Sequence, residues 1–254
     1  MLRTRIMPCL LLRDGGLVKT VKFKDPNYIG DPINAIRIYN EKEVDELIFL
    51  DITATIENRP PPFKVLSEIA SECFMPVAYG GGIRDLETIR QILSLGIEKV
   101  AINSYAAENP EFVRAAAERY GSSTIVVSMD VRRKLFGKYE VVTRGGRKGT
   151  GIDPVDFAIK MDRMGAGEIL LNSIDRDGTQ EGYDIDLIKS VTGAVGVPVI
   201  ACGGAGRLED FRAAVHEGGA SACAAGSLVV YFGRNRAVLI NFPERKKLES
   251  ILGE

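Results

Sequence analysis

The stretches DELIFLDITAT (45–55) and MPVAYGGGIRDLETI (75–89) recur later in the chain as GEILLNSIDRDG (167–178) and VPVIACGGAGRLEDF (197–211). The offset between equivalent positions is constant, 122 residues from residue 46 to residue 168 for example. Each copy contains an apolar strand, a proline-led strand that ends in a glycine turn, and an acidic amphipathic helix. A period of half the chain predicts two similar halves rather than a solenoid of many short units.

Apolar runs of strand length recur along the whole chain. They lie at 5–11, 46–52, 75–79, 98–103, 124–130, 167–172, 197–202 and 221–225. Helical patterns that end at a glycine lie between them at 85–96, 109–121 and 207–219. Continuous apolarity indicates strands buried on both faces, and alternation with helices indicates parallel pairing. The sequence therefore predicts one (β/α)8 TIM barrel that forms a single domain over residues 1–254.

Composition excludes several classes of protein. The chain has 254 residues, 45% hydrophobic and 26% charged, with a net charge of −1, which gives no electrostatic reason to expect a nucleic acid or an anionic membrane as partner. Four widely spaced cysteines and a single histidine match no common zinc pattern, so we expect free thiols, a cytoplasmic location, and no metal or cofactor. The apolar run IMPCLLL (6–12) is too short to span a membrane and is interpreted as the first strand.

Glycine turns follow four of the predicted strands. They are YGGGI (79–83) and INSY (102–105) in the first half, and CGGAG (202–206) and AAGS (224–227) in the second. Active sites of these barrels lie at the carboxyl ends of the strands, often with phosphate bound after strands seven and eight. Paired turns in both halves favour a ligand with phosphate at both ends. The alternative is that Gly-Gly merely permits tight turns between strand and helix.

Five motifs identify a family. FLDITAT (49–55), GGGI (80–83), KVAIN (99–103), GAGEILLNSIDRDGT (165–179) and PVIACGGAG (198–206) closely resemble HisF, the cyclase subunit of imidazole glycerol phosphate synthase. The resemblance extends to about residue 230. It implies a barrel docked to a HisH-like glutaminase, whose ammonia crosses the barrel to a bisphosphorylated ribulosyl-formimino aminoimidazole carboxamide nucleotide. The products of that reaction are imidazole glycerol phosphate and AICAR.

The resemblance also implies which residues bind the phosphates of the ligand. In the first half they are Gly82, Asn103 and Ser104; in the second half they are Asp177, Gly178, Gly204, Gly226 and Ser227, together with Lys19 in the loop after strand one. We therefore predict two phosphate or sulfate sites on opposite sides of one rim.

One catalytic position departs from the family pattern. HisF uses an aspartate at the end of strand one and another at the end of strand five as general acid and base. Asp130 supplies the second, but Leu11 stands where the first is expected, and a leucine transfers no proton. Asp14 is an alternative acid, but the family has a turn aspartate there as well. Smaller departures are Asn172 and Cys202 in place of hydroxyl residues, and a segment 233–248 that is predicted to lack the family's last amphipathic helix.

The opposite mouth of the barrel matches the family. The ring of alternating charges that the resemblance places there consists of Arg5, Glu46, Lys99 and Glu168, and we predict a gate for ammonia. An alternative is that the charges merely pair with one another and close the bottom of the barrel. Asp45 and Glu98 flank the same rim, and we expect the glutaminase to dock around them.

Three hypotheses follow. An intact gate with a damaged cyclase resembles the HisF-like proteins of surface-polysaccharide clusters, in which a separate sugar amidotransferase consumes the ammonia. The second hypothesis is a working cyclase of histidine biosynthesis with another acid in place of the missing aspartate. The third is a phosphate-binding scaffold with no role in ammonia transfer. Leu11 favours the first over the second, and the four gate residues argue against the third. Finally, the Lys/Arg- and Gly-rich segment 133–149 predicts a small hairpin after strand five.

Overall fold

The computed structural model describes residues 3–233 and 235–253. Its strands are β1 (Arg5–Arg13), β2 (Gly16–Val21), β3 (Lys24–Gly30), β4 (Leu47–Asp51), β5 (Val77–Gly80), β6 (Lys99–Ile102), β7 (Ile125–Arg133), β8 (Tyr139–Thr143), β9 (Lys148–Gly149), β10 (Glu168–Ser173), β11 (Val199–Cys202), β12 (Ala222–Ala225), β13 (Tyr231–Phe232) and β14 (Ala237–Val238). Its α-helices are α1 (Pro32–Glu41), α2 (Phe63–Glu72), α3 (Leu86–Ser94), α4 (Ser104–Glu108), α5 (Pro110–Tyr120), α6 (Pro154–Arg163), α7 (Ile185–Thr192), α8 (Leu208–His216), α9 (Ser227–Val230) and α10 (Arg245–Leu252). Two short 3-10 helices lie at Ser122–Thr124 and Leu135–Gly137.

Eight parallel strands form a closed barrel. The order around it is β1, β4, β5, β6, β7, β10, β11 and β12, and β12 pairs again with β1. Each of the eight apolar runs of the sequence forms one of these strands, so the predicted (β/α)8 barrel is confirmed. Helices lie between successive strands because a parallel strand requires a crossover to return to the same end of the sheet.

Apolar side chains alternate between two layers along each barrel strand. One set packs inside the barrel and the other packs beneath the surrounding helices, as expected for strands buried on both faces. The inner set consists of Met7, Cys9, Ile48, Ala78, Ala101, Val126, Leu170, Ile200, Cys202, Ala222 and Ala224. Small residues predominate in this layer because eight strands leave little space at the barrel axis.

The two halves begin their equivalent helices with similar turns. Asp85 accepts a hydrogen bond from the Thr88 backbone at 2.7 Å at the start of α3. At the start of α8, the carboxylate of Asp210 accepts from the backbone of Gly206 at 2.8 Å and Arg207 at 3.0 Å. Such caps satisfy N–H groups that have no partner inside the first turn of a helix. The three predicted helices are confirmed as α3, α5 and α8, each slightly shorter than its sequence pattern.

Three hairpins rise from the carboxyl rim. β2 and β3 follow β1, and β8 and β9 follow β7, where β8 pairs antiparallel with both neighbours. The hairpin predicted within 133–149 is therefore confirmed. The third hairpin, β13 and β14, follows the last barrel strand.

The chain ends in a helix that the sequence interpretation missed. α10 begins within the segment predicted to lack one and buries Leu248 and Leu252. Arg245 at its start lies 3.8 Å from Asp45. The prediction was wrong because the apolar residues of this helix are few, and Ile251 and Leu252 lie beyond residue 248. Among the described residues, no helix is long and apolar enough to cross a membrane.

Candidate functional site at the carboxyl rim

A cavity of about 550 Å³ opens at the carboxyl ends of the barrel strands. All eight barrel strands, or the turns after them, contribute to its wall, so residues far apart in the chain meet there. The predicted rim residues that line it are Leu11, Lys19, Gly82, Asn103, Ser104, Asp130, Asp177, Gly178, Gly204, Gly226 and Ser227. The structure therefore brings both predicted phosphate turns and the candidate catalytic position into one cavity.

Asp130 lies on β7 with its carboxylate between two amide side chains. Asn103 donates to its Oδ2 at 3.0 Å, and Asn172 donates to its Oδ1 at 3.4 Å. Burial raises the pKa of Asp130 to about 7, with a smaller contribution from the negative charge of Asp177, although both amides favour the ionised form. An acid with a pKa near neutrality can both donate and accept a proton at physiological pH. Asp130 is therefore suited to general acid–base chemistry.

Leu11 makes the strand-one side of the cavity apolar. It is half-buried, lines the cavity, and is aligned with Leu50 on the neighbouring strand β4. Asp14 does not take its place. That residue lies in the tight turn before β2, with its side chain 75% exposed and 3.4 Å from Arg13. The residues around the cavity therefore place no carboxylate at the position of the family's strand-one aspartate.

Hydrogen bonds hold the first predicted phosphate turn in place. The Gly82 backbone donates to Thr55 Oγ1 at 3.3 Å, and a Cβ at Gly82 would lie 2.7 Å from a backbone oxygen, so glycine is required there. Asn103 also donates to the backbone oxygen of Ser128 at 2.9 Å. Ser104 Oγ accepts from the Arg144 backbone at 2.9 Å. Asn103 therefore directs its amide towards Asp130 and β7 as well as lining the cavity.

The second predicted turn lies beneath Lys19. A Cβ at Gly226 would lie 2.8 Å from Lys19 Cε, so the lysine packs directly over this glycine. Lys19 Nζ donates to Asp177 Oδ1 at 2.9 Å, and Thr20 donates to Asp177 Oδ2 at 2.9 Å. The role of Asp177 in binding phosphate stays a prediction, because its carboxylate is already paired with Lys19. In this structure Asp177 positions Lys19 and fixes the β2–β3 hairpin over the cavity.

Two arginines at this rim were missed by the sequence interpretation. Arg236, in the turn of the last hairpin, donates to the backbone oxygen of Gly178 at 2.9 Å and to Ser227 Oγ at 3.3 Å. Arg59 forms a two-pronged ion pair with the buried carboxylate of Asp51, at 2.9 and 3.0 Å. Basic residues in the segment GRNRA and the aspartate of FLDITAT were the available signals. Neither pattern specifies its partner.

The four predicted gate residues form a closed ring at the opposite mouth. Arg5 contacts Glu46 at 2.7 Å and also Glu168, and Lys99 Nζ lies 3.0 Å from each of the two carboxylates. Both glutamates are buried. Beyond the ring, the apolar inner layer of the barrel separates it from the cavity. The arrangement is a ring of paired charges followed by an apolar interior, and its role as a gate stays a prediction.

Asp45 and Glu98 support the starts of strands. Asp45 accepts from the Ile6 backbone at 3.1 Å and is only 12% exposed, because Arg3 and Arg245 also contact it. Glu98 is exposed and accepts from the Val77 backbone at 2.8 Å. Their role in docking stays a prediction, and the geometry favours Glu98 over Asp45.

The family model described as "Histidine biosynthesis protein" matches residues 5–235 of the chain. The chain belongs to this family. A putative imidazole glycerol phosphate synthase subunit hisF2 of Pseudomonas aeruginosa is 51% identical over 249 residues, which cover 98% of this chain and 99% of the relative. The putative HisF subunit of Leptospira interrogans is 47% identical, with 99% of both chains covered. The imidazole glycerol phosphate synthase subunit HisF of Alkaliphilus metalliredigens is 48% identical, covering 91% of this chain and 92% of its own.

These matches confirm the resemblance inferred from the five sequence motifs. The chain is a HisF-like member of the histidine biosynthesis protein family, with the barrel and the strand-five aspartate that the resemblance implies. Within this HisF-like chain, Leu11 remains the clearest departure, because it changes the chemistry available inside the cavity.

Proposed function

We propose that this HisF-like chain is the ammonia-receiving synthase subunit of a glutamine amidotransferase. A HisH-like glutaminase docks on the face that carries the charged ring, and its ammonia crosses the barrel to the cavity. The single observation that supports this most strongly is the closed ring of Arg5, Glu46, Lys99 and Glu168 at the mouth of an apolar barrel. Ions are retained at such a ring by charge, whereas neutral ammonia is not, and it enters an apolar interior at a lower cost than an ion does.

The acceptor of the ammonia is proposed from the chemistry of the cavity. Leu11 removes one of two proton-transfer groups, and such a group typically contributes about a hundredfold to ten-thousandfold in rate. Ring closure of the histidine intermediate is therefore expected to be very slow. We infer that the ammonia serves a separate sugar amidotransferase, which amidates a nucleotide-linked sugar in surface-polysaccharide biosynthesis.

A second candidate function is the cyclase reaction of histidine biosynthesis. Asp130 is buried between two amides with a pKa near 7, so half of the acid–base pair is intact. The names of the relatives, which are imidazole glycerol phosphate synthase subunits, also favour this candidate. In both candidates the two glycine turns bind the phosphates of a small-molecule ligand.

A reconstitution assay separates these functions. The full chain is combined with a HisH-like glutaminase, and glutamine hydrolysis is measured with and without the barrel. Turnover of the formimino nucleotide intermediate is then measured with free ammonium. We expect the barrel to bind and stimulate the glutaminase while cyclase turnover stays very low. Ordinary cyclase rates would establish the second candidate, and no effect on the glutaminase would leave the scaffold hypothesis.

The substitution Leu11→Asp tests why the cyclase is slow. It restores a carboxylate on β1 across the cavity from Asp130, and we expect cyclase turnover to rise by about a hundredfold or more. The matched control is Leu11→Asn. A carboxylate at the neighbouring Leu10 would not serve, because Leu10 is fully buried in the outer core. Asparagine has the same shape but transfers no proton. Equal rates for Leu11→Asp and Leu11→Asn would show that the missing carboxylate is not the cause.

A further inference from the structure

A continuous series of hydrogen bonds joins the β8–β9 hairpin to Asp130. The Arg144 backbone donates to Ser104 Oγ at 2.9 Å, and Ser104 Oγ donates to Asn103 Oδ1 at 3.1 Å. The other end of the same amide, Asn103 Nδ2, donates to Asp130 Oδ2 at 3.0 Å. Asn103 Nδ2 also donates to the Ser128 backbone oxygen at 2.9 Å, so a change at Ser104 alters an amide that Asp130 shares with Ser128.

Asn172 lies on the other side of Asp130, and only one end of its side-chain amide has a hydrogen-bond partner among the described residues. Its Nδ2 donates to Asp130 Oδ1 at 3.4 Å, while its buried Oδ1 has no hydrogen-bond partner among the described residues. If the amide turns over, Oδ1 faces Asp130, which is favourable only when Asp130 carries a proton that it can donate. Protonation of Asp130 therefore supplies the missing partner of Asn172, since buried acceptors without partners are costly.

We propose that Ser104 and Asn103 are positioning residues through which an anion bound at the first glycine turn holds Asp130 as the neutral acid. This inference rests on the proposed function, which places a ligand phosphate at Gly82 and Ser104. An anion there accepts the hydroxyl hydrogen of Ser104, so Asn103 Oδ1 loses its donor and the amide is less firmly held against the carboxylate. The negative charge of the anion acts in the same direction, because it disfavours a second negative charge nearby.

The other ionisable groups around Asp130 do not supply this connection. On the elements that surround it they are Arg144 and Arg147 after β8, Asp177 after β10, Lys19 on β2, Asp51 on β4, Cys202 on β11 and Cys9 on β1. Lys19 and Asp177 form an ion pair at 2.9 Å, which leaves Asp177 only a small effect on the pKa of Asp130. The Arg144 guanidinium lies 3.8 Å from Glu108. Among the polar neighbours of Asp130, only the two amides donate hydrogen bonds to the carboxylate within the described residues.

The consequence is that proton donation depends on the ligand. In the empty barrel, Asp130 is divided between its two protonation states near neutral pH. With the first turn occupied, the neutral acid predominates near neutral pH and can donate a proton to the bound molecule. This prevents the cavity from presenting a ready acid before a phosphorylated ligand is in place.

Carbon-detected NMR of the full chain tests the proposal. The pKa of Asp130 is measured from its Cγ shift with and without inorganic sulfate, whose charge does not change over this pH range. We expect saturating sulfate to raise the pKa by about half to one unit, as for the loss of one hydrogen bond to the charged form. Ser104→Ala, without sulfate, should raise it by a similar amount. Ser227→Ala, in the second turn, is the matched control and should leave it unchanged.

Three results would overturn the inference in different ways. If sulfate shifts the Gly82 amide but moves the pKa of Asp130 by less than about 0.2 units, the phosphate site stands and the connection to Asp130 does not. If sulfate does not bind at this turn at all, the proposed phosphate site fails and the inference fails with it. Ser104→Ala removes a single oxygen atom. If the pKa of Asp130 is unchanged in the folded Ser104→Ala variant, Ser104 is not a positioning residue for Asp130.

Discussion

Asp130→Asn is expected to stabilise the protein at neutral and alkaline pH. The buried carboxyl is 8% exposed, and its pKa rises from 3.8 to about 7 on folding. Between these two values the native state binds more protons than the unfolded state, so the free energy of unfolding falls as the pH rises through this window. Above pH 7 the ionised carboxylate lowers the free energy of unfolding by its full amount. The difference of about 3 pKa units corresponds to about 4 kcal/mol.

The substitution removes this cost because asparagine stays neutral. Its Oδ1 can accept from Asn103, and its Nδ2 can donate to the otherwise unpartnered Oδ1 of Asn172 after that amide turns over. The advantage of the variant should therefore grow by about 2 kcal/mol between pH 5 and pH 7 and level off above about pH 8. Relaxation around the charged carboxylate reduces this figure, so a gain of about 2 kcal/mol or more at pH 8 is the expected result.

Urea unfolding at pH 5 and pH 8 measures the effect. Asp51→Asn is the matched control, because Asp51 is equally buried but forms an ion pair with Arg59 and accepts from the Ala54 backbone at 2.9 Å. That change should lower the free energy of unfolding at both pH values, by about 3 kcal/mol. A variant at Asp130 that is less stable than the wild type at pH 8, or equally changed at both pH values, would refute the buried, proton-binding environment described for Asp130.

Three further changes test other parts of the molecule. Arg236→Ala should weaken sulfate binding at the second turn about tenfold, as for the loss of a charge-assisted hydrogen bond. Calorimetry measures the affinity, and Arg90→Ala on the exposed face of α3 is the control that should not change it. Lys99→Met removes the cation that pairs with both Glu46 and Glu168, so the melting temperature should fall. An unchanged melting curve would mean that the ring contributes little to stability. Glu98→Lys should reduce glutaminase binding in a pull-down more than Glu118→Lys on α5 does, and equal retention by both variants would place the docking face elsewhere.

Much of the candidate site was predictable because it depends on short-range pattern. The 122-residue repeat places a glycine turn after equivalent strands, and strands of a parallel barrel end at one rim, so Gly82 and Gly204 had to face the same cavity. Leu11 at the end of the first strand was visible in the same way. The hairpin within 133–149 followed from its own turn residues.

The partners of charged side chains were not predictable from the sequence. Lys19 and Asp177 are 158 residues apart, and Arg236 lies 58 residues from the Gly178 backbone that it contacts. Which side chains meet depends on how the loops pack over the rim. The sequence around each residue does not specify that packing. For the same reason the sequence did not reveal that Asp177 pairs with Lys19.

The sequence by itself determined the barrel, its twofold repeat and the loss of the strand-one carboxylate, because periodic burial and covalent identity are local properties of the chain. The tertiary structure alone decided the environment of Asp130. Its amide neighbours come from β10 and from the turn after β6, and the pKa of about 7 arises from burial among those strands. A carboxyl group acquires such a pKa only when the fold removes it from water, which no spacing of residues along the chain can specify.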